Sequence, residues 1–262
     1  MLPKRRKESE LWTWRSLYFP AQALAGDWYD VRELTFADGR VLLAACVADV
    51  TGHGVGSSLA TSVICSHWSL WCTDACKGNT PDTKERRETL LISAPQRVNA
   101  GLLALPQNEQ CTAIFALIDP DAGEITFCAG GHPGIIVSDG KGLRYLTSQG
   151  ERLGASGVDN PVWNAKTEPL VPGEISCIYS DGIVPPGDTV SSFAAGLRRR
   201  LKKENAPILP ILWKQFRENR RVFRLDREVE DDMTLLAIEL KAKQIKAGTG
   251  AGESEVSSGT AA

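Results

Sequence analysis

Several things are scarce in this chain of 262 residues, and each scarcity removes a class of protein. No apolar run approaches the roughly 20 residues of a membrane span, so nothing reads as a transmembrane helix. Neither charge dominates: 30 Lys and Arg stand against 32 Asp and Glu, a net charge of −2. That balance argues against wholesale nucleic-acid binding, which shows as a strongly basic domain. Histidine occurs three times, and Cys72-x-x-x-Cys76 has no second Cys or His pair at zinc spacing, so a zinc site is not supported. The seven cysteines are odd in number, and several sit inside apolar runs where Cys serves as a small core residue. A reduced, cytoplasmic setting is the expectation. Lys4-Arg5-Arg6-Lys7 is not followed by the apolar stretch of a secretory signal, so residues 1–14 read as a charged leader carrying Trp12 and Trp14.

What is present is enough for a sizeable core, with 42% hydrophobic and 24% charged residues. Strand signals at about 25–36 and 40–49 flank Asp38-Gly39, a hairpin corner. A two-residue turn there would pair Ala37 with Arg40 and place Asp27 opposite Val50, with Asp27 and Asp49 close together at one sheet end. Leu59, Val63, Ser66 and Leu70 recur at helical spacing over 55–77, and a second helix spans about 84–104, interrupted near Pro95. A hairpin meander follows: strands at 111–117 and 124–129, a resumption at 135–137 after Gly130-Gly131-His132-Pro133-Gly134, and 143–146. Further strands are expected near 162–170, 175–180 and 235–240, with a helical region over 189–221. Such meanders leave no place for parallel βαβ units, so the fold class is α+β, one domain over 15–241. The Gly/Ser-rich stretch 242–262 reads as a disordered low-complexity tail.

Four acidic corners stand out: Asp27, Asp49, Asp181 and Asp231, with Asp232 beside the last. Each lies where a strand begins or ends. Carboxylates gather only if something positive offsets their repulsion, and no Lys or Arg recurs beside these corners. Bound cations are the economical explanation, and oxygen-only ligands favour Mg2+ or Mn2+ over zinc. Two ions sharing a carboxylate are a standard arrangement for hydrolysing phosphate esters.

At this point the chain resembles the PPM-type metal-dependent serine/threonine phosphatases, in their bacterial SpoIIE/RsbU-like branch. The matching pieces are Ala25-Gly26-Asp27-Trp28-Tyr29-Asp30, Asp49-Val50-Thr51-Gly52-His53-Gly54, Thr112-Ala113-Ile114-Phe115 and Ala129-Gly130-Gly131-His132-Pro133. Leu153-Gly154, Tyr179-Ser180-Asp181-Gly182 and Asp231-Asp232-Met233-Thr234 follow in the family's order. The resemblance implies two packed antiparallel sheets flanked by α-helices, with two divalent cations, Mn2+ or Mg2+, at one sheet edge. Carried over, Asp49 bridges both metals and the Val50 carbonyl binds one. Asp181 and Asp231 complete the other site, and Asp27 acts directly or through a metal-bound water. A metal-activated water then attacks phosphorus in line. Either His53 or His132 could serve as general acid for the leaving seryl oxygen, with His53 the stronger candidate; the alternative is that each ring hydrogen-bonds a loop or a metal-bound water.

The resemblance also implies a seryl-phosphorylated protein substrate, such as an anti-sigma-factor antagonist, and control by a regulatory partner, an upstream sensor or oligomerisation, a dimer included. Two other classes stay open at this point: a catalytically weak scaffold on the same fold, and a metal-dependent phosphodiesterase or nucleotide hydrolase. Between Arg198 and Arg227, eleven basic residues face three acids, which reads as a solvated helix face or as a docking surface for an acidic partner.

Overall fold

The computed structural model describes residues 6–21, 25–52, 54–106, 109–225 and 231–242. In chain order the elements are β1 (Arg6–Glu8), β2 (Trp12–Phe19), β3 (Asp27–Thr35), β4 (Val41–Val50), α1 (Val55–Ala75) and α2 (Lys84–Leu103). Then come β5 (Cys111–Asp119), β6 (Glu124–Gly130), β7 (Ile135–Ser138), β8 (Leu143–Leu146), β9 (Ala165–Pro169) and β10 (Ile175–Tyr179). A 3-10 turn (Asp181–Ile183), α3 (Val190–Glu204), α4 (Ile208–Leu225) and β11 (Met233–Leu240) complete the chain.

The strands form two antiparallel sheets, ordered β1-β2-β11-β10-β7-β8 and β3-β4-β5-β6-β9. Side chains alternate across a strand, so a strand apolar on both sides must lie in the middle of a layered structure. In β4, Leu42, Ala44, Cys46, Ala48 and Val50 join a core with α1 and α2, whereas Leu43, Ala45 and Val47 join the core between the sheets. In β11, Leu236, Ile238 and Leu240 face that same inter-sheet core, and Met233, Leu235 and Ala237 pack under α3 and α4. The result is four layers, helices–sheet–sheet–helices, the α+β sandwich expected.

Several local expectations change. The leader boundary expected at residue 15 falls inside β2, because Trp12 and Trp14 alternate into the inter-sheet core and pair with Leu240 and Ile238. The Asp38-Gly39 corner holds three loop residues, not two: the Phe36 N–H donates to the Arg40 carbonyl and the Gly39 N–H to the Phe36 carbonyl, both at 2.9 Å. Gly39 takes the left-handed conformation, φ 85°, that this longer turn needs. That single extra residue shifts the register, so Asp27 lies opposite Asp49, not Val50. Helix α2 runs unbroken through Pro95, its Thr83 side chain accepting the Arg86 N–H at its start. Ile135–Ser138 does not resume β6. After Gly131, φ 67°, and Pro133 the chain crosses to the other sheet and pairs with β10 and β8. The helical region expected over 189–221 is two helices, because Asn205 turns left-handed, φ 45°, just before Pro207. The proposed tail beyond residue 242 and His53 lie outside the described residues.

The helices are fixed by polar contacts as well as by burial. Asp30 accepts from Trp68 Nε1 at 3.1 Å and from Arg32 Nε at 2.5 Å, tying α1 to β3. At the other end of that sheet the fully buried Asp119 accepts from Arg40 Nη2 at 2.5 Å and Arg87 Nη1 at 2.9 Å, and Arg87 also pairs with Glu124. All seven cysteines are free. Arg87→Met would leave Asp119 with one guanidinium instead of two, and breaking a buried pair costs about 3 kcal/mol. Calorimetry should then show Tm lower by about 6–12 °C for a domain of this size; a fall under about 2 °C would show that this ion cluster does not hold α2 in place.

Candidate functional site

The period-two alternation that builds the sandwich also aims the acids. Asp27 shares a face with Tyr29 and Asp49 with Val47, and both of those residues lie in the inter-sheet core. Asp27 and Asp49 therefore sit opposite each other at one end of their sheet, both turned toward the second sheet. Residues opposite each other on neighbouring strands have Cβ atoms within about 5.5 Å. Two unit charges ~5 Å apart repel by ~3 kcal/mol at an effective dielectric of ~20.

The second sheet answers with hydroxyls. Ser180 at the end of β10 and Thr234 in β11 fall on its inner face, two residues beyond Ile178 and two before Leu236. Ser180 Oγ and Thr234 Oγ1 each donate to Asp27 Oδ2 at 2.6 Å. The other carboxyl oxygen, Asp27 Oδ1, is buried and has no hydrogen-bond partner. Asp232, also buried, accepts the N–H groups of Ala21 at 2.7 Å, Gly26 at 2.6 Å and Asp27 at 3.1 Å, and so fixes the entry to β3.

Two glycines let these corners close. A Cβ on Gly26 would lie 2.6 Å from the Val50 carbonyl oxygen, and one on Gly182 would lie 2.1 Å from the Asp232 carbonyl oxygen. Both distances are impossible for a side chain, so Gly26 brings its loop against the Val50 carbonyl and Gly182 brings the Asp181 turn against β11. Asn219, buried on α4, holds that turn by donating to the carbonyls of Gly182, Ile183 and Val184 at 3.1, 2.8 and 3.3 Å.

Asp181 and Asp231 lie at the solvent side of this edge, Asp49 is half-buried, and Asp27 and Asp232 are buried. Burial, and then the charge of Asp49, push the Asp27 carboxyl well above its ordinary range, against the two hydroxyl bonds. Asp49 rises to about 8, first by burial and then by the charges of Asp181 and Asp231. Asp231 rises to about 6 through desolvation and the charge of Asp181. The groups acting on these carboxyls are mostly other carboxyls, whose mutual repulsion a bound cation would offset. Among the described residues no three acids, histidines or cysteines are already closed into a metal cage. The all-oxygen donor set and the unpartnered Asp27 Oδ1 fit hard divalent cations that would draw the acids together.

His132 is held at a strand end beside the site. It is buried behind Thr112, whose hydroxyl lies 2.8 Å from His132 Nδ1, and Thr112 is the strand neighbour of Asp49. Burial holds its pKa down to about 3 against contacts with the Tyr179 and Thr112 backbones. An imidazole in this position buttresses the strand ends. Ser180, Thr234, Asp232 and Asn219 were not among the residues expected at the site. The first three belong to the quoted motifs, and counting alternate residues back from the apolar positions of β10 and β11 would have pointed them inward; nothing local marks Asn219.

Comparisons with known proteins agree with this fold. The chain is similar to Protein IcfG of Synechocystis sp., 21% identical over 262 residues, an alignment covering 90% of this chain and 39% of that one. The chain thus spans well under half of that curated relative. Among solved structures it is similar to the PP2C phosphatase domain, with a fragment of the regulatory domain, of SpoIIE from Bacillus subtilis: TM-score 0.64, 17% identity, 88% of this chain and 62% of that one. It is also similar to RsbX in complex with magnesium: TM-score 0.58, 18% identity, 90% of this chain and 98% of that one. These likenesses show a shared PP2C fold. The model of the family described as Stage II sporulation protein E matches residues 38–241, and the chain belongs to this SpoIIE family.

Proposed function

We propose that this chain is a protein serine/threonine phosphatase working with two divalent cations, Mn2+ or Mg2+. The observation that carries the reading is the gathering of Asp27, Asp49, Asp181 and Asp231 at one sandwich edge, with the carboxyls of Asp27, Asp49 and Asp231 raised by burial and by their acidic neighbours. In this reading Asp49 would be shared between the cations, the Val50 carbonyl would help hold one, Asp181 and Asp231 would help hold the other, and Asp27 would contribute directly or through water. Bound there, the cations would activate water and offset the charge that builds on the phosphoryl oxygens. Everything else is the chain's own contribution. Ser180 and Thr234 saturate Asp27 Oδ2 and leave Oδ1 for the site. Asp232 and Gly26 fix the loop before β3, and Asn219 fixes the turn after Asp181.

The likeness to RsbX crystallised with magnesium supports a hard cation, and the exposed position of Asp181 and Asp231 supports a substrate as large as a protein surface. Membership of the SpoIIE family favours a seryl-phosphorylated regulatory protein in the cytoplasm, of the anti-sigma-antagonist type, as that substrate. Among the described residues no helix is long and apolar enough to cross a membrane.

The direct test is release of phosphate from p-nitrophenyl phosphate and from a phosphoserine protein, with and without Mn2+. Asp49→Asn and Asp181→Asn should fall to the metal-free background; wild-type rates in both would remove the two-cation assignment. The hydroxyl pair has its own test. Ser180→Ala and Thr234→Val should weaken Mn2+ binding, read by calorimetry, by about 10–100-fold, the usual cost of losing a group that orients a ligand. Thr234→Ser should restore it. If both deletions leave Mn2+ affinity unchanged, these hydroxyls serve folding alone.

A further inference from the structure

Six of the seven tryptophans are buried, and Trp213 is the exception, 45% exposed. It lies on α4, stacked flat against Phe216 with ring centroids 6.0 Å apart. With Leu209 it walls a groove of about 450 Å3 between α4 and the outer face of the six-stranded sheet. Leu17 of β2 and Leu235 and Ala237 of β11 line the other side, and Arg15 is the one charged residue in the lining.

The charged side chains around this apolar slot are mostly basic, with Glu239, two residues beyond Ala237 on β11, and Glu218 of α4 as the nearby acids. Arg15 is exposed at one end, and Lys214, Arg217 and Arg221 are exposed along α4, where Glu218 is the one acid between Ile208 and Arg221. Farther along, the Arg220 guanidinium lies over the Phe19 ring, 4.4 Å from its centroid, and Phe19 pairs with Met233 beside the acid corner. The slot and the aspartates are thus the middle and the end of the same strands. Leu235 is four residues from Asp231, about 13 Å at the rise of a strand.

An exposed Trp beside a slot, with arginines around it, has the composition of a binding hot spot, and its charge complements an acidic ligand. We propose that this groove is a docking site for the phosphoprotein substrate, taking an acidic segment with an apolar anchor while the phosphoserine sits at the aspartate edge. The proposal rests on the phosphatase reading for the identity of the partner. It also gives part of the basic run between Arg198 and Arg227 a task beyond solvation: the arginines of α4 steer and hold the acidic flank, and Trp213 holds the anchor.

The test uses the full chain and two synthetic peptides sharing one phosphoserine. One carries, about six residues to either side, a Leu-Phe anchor flanked by Glu and Asp; the other has Ala and Lys at those positions. Turnover of both peptides and of p-nitrophenyl phosphate is measured with Mn2+, and binding of the unphosphorylated peptides by fluorescence anisotropy. Wild type should favour the acidic peptide at least tenfold in kcat/KM and in affinity, the scale of one hot-spot side chain. Trp213→Ala and Arg217→Glu should each cut that preference to under twofold while leaving p-nitrophenyl phosphate turnover within twofold. Arg217 is exposed, so its variant stands even if Trp213→Ala loosens the fold. Equal handling of the two peptides by wild type, or a preference that survives both substitutions, would overturn the proposal. So would a dimer that Trp213→Ala converts to a monomer, since a second copy would then fill the groove. If no phosphoester is hydrolysed at all, the phosphatase reading fails on its own, and anisotropy still decides the groove.

Discussion

The fully engaged Asp27 Oδ2 is the joint on which the two sheets meet at their functional end. One carboxyl oxygen of β3 takes hydroxyl protons from β10 and β11 across the sandwich, at 2.6 Å each. Its neighbour Asp232 reaches the opposite way, from the end of one sheet to the backbone at the start of the other. These crossings set the spacing of the sheets at the edge where apolar packing has run out. They also decide which way the acids point.

Such an edge is expensive to hold together. Buried or half-buried acids raise one another's pKa and weaken the folded state wherever they must ionise. The rest of the molecule supplies the stability that the edge spends. Three apolar cores run the length of the sandwich, and the Asp119–Arg87–Arg40 cluster anchors α2 at the far end. In the proposed function a pair of cations removes the repulsion, so the strained edge and the reactive edge are the same place. The division matches the usual pattern in which local rules are broken at sites of chemistry and satisfied elsewhere.

Much of this was legible beforehand, for identifiable reasons. The strands announced themselves because β4, β5 and β11 are apolar on both faces, and the acid corners because each sets Asp at the start or end of a strand near Gly or a second Asp. The register of β3 on β4 was missed by one residue, since a hairpin corner of sequence Ala37-Asp38-Gly39 fits both a two-residue and a three-residue loop and only the wider pairing decides. The passage of the chain from β6 to β7 was read as one interrupted strand, because local sequence shows that a strand ends at Gly130-Gly131 but not which sheet the next one joins. Trp12 and Trp14 looked like a leader because charged residues surround them, although their alternation is that of a strand. The hydroxyls on Asp27 come from residues 153 and 207 positions away, a separation that no local pattern reports.

The central claim is that these aspartates form a two-cation site. Equilibrium dialysis of Mn2+ against the full chain, followed by electron paramagnetic resonance of the bound metal, tests it without reference to any substrate. The account predicts two Mn2+ per chain with the exchange-coupled spectrum of ions sharing a carboxylate, reduced to at most one uncoupled ion in Asp49→Asn. No bound Mn2+, or isolated single ions unaffected by that substitution, would contradict it.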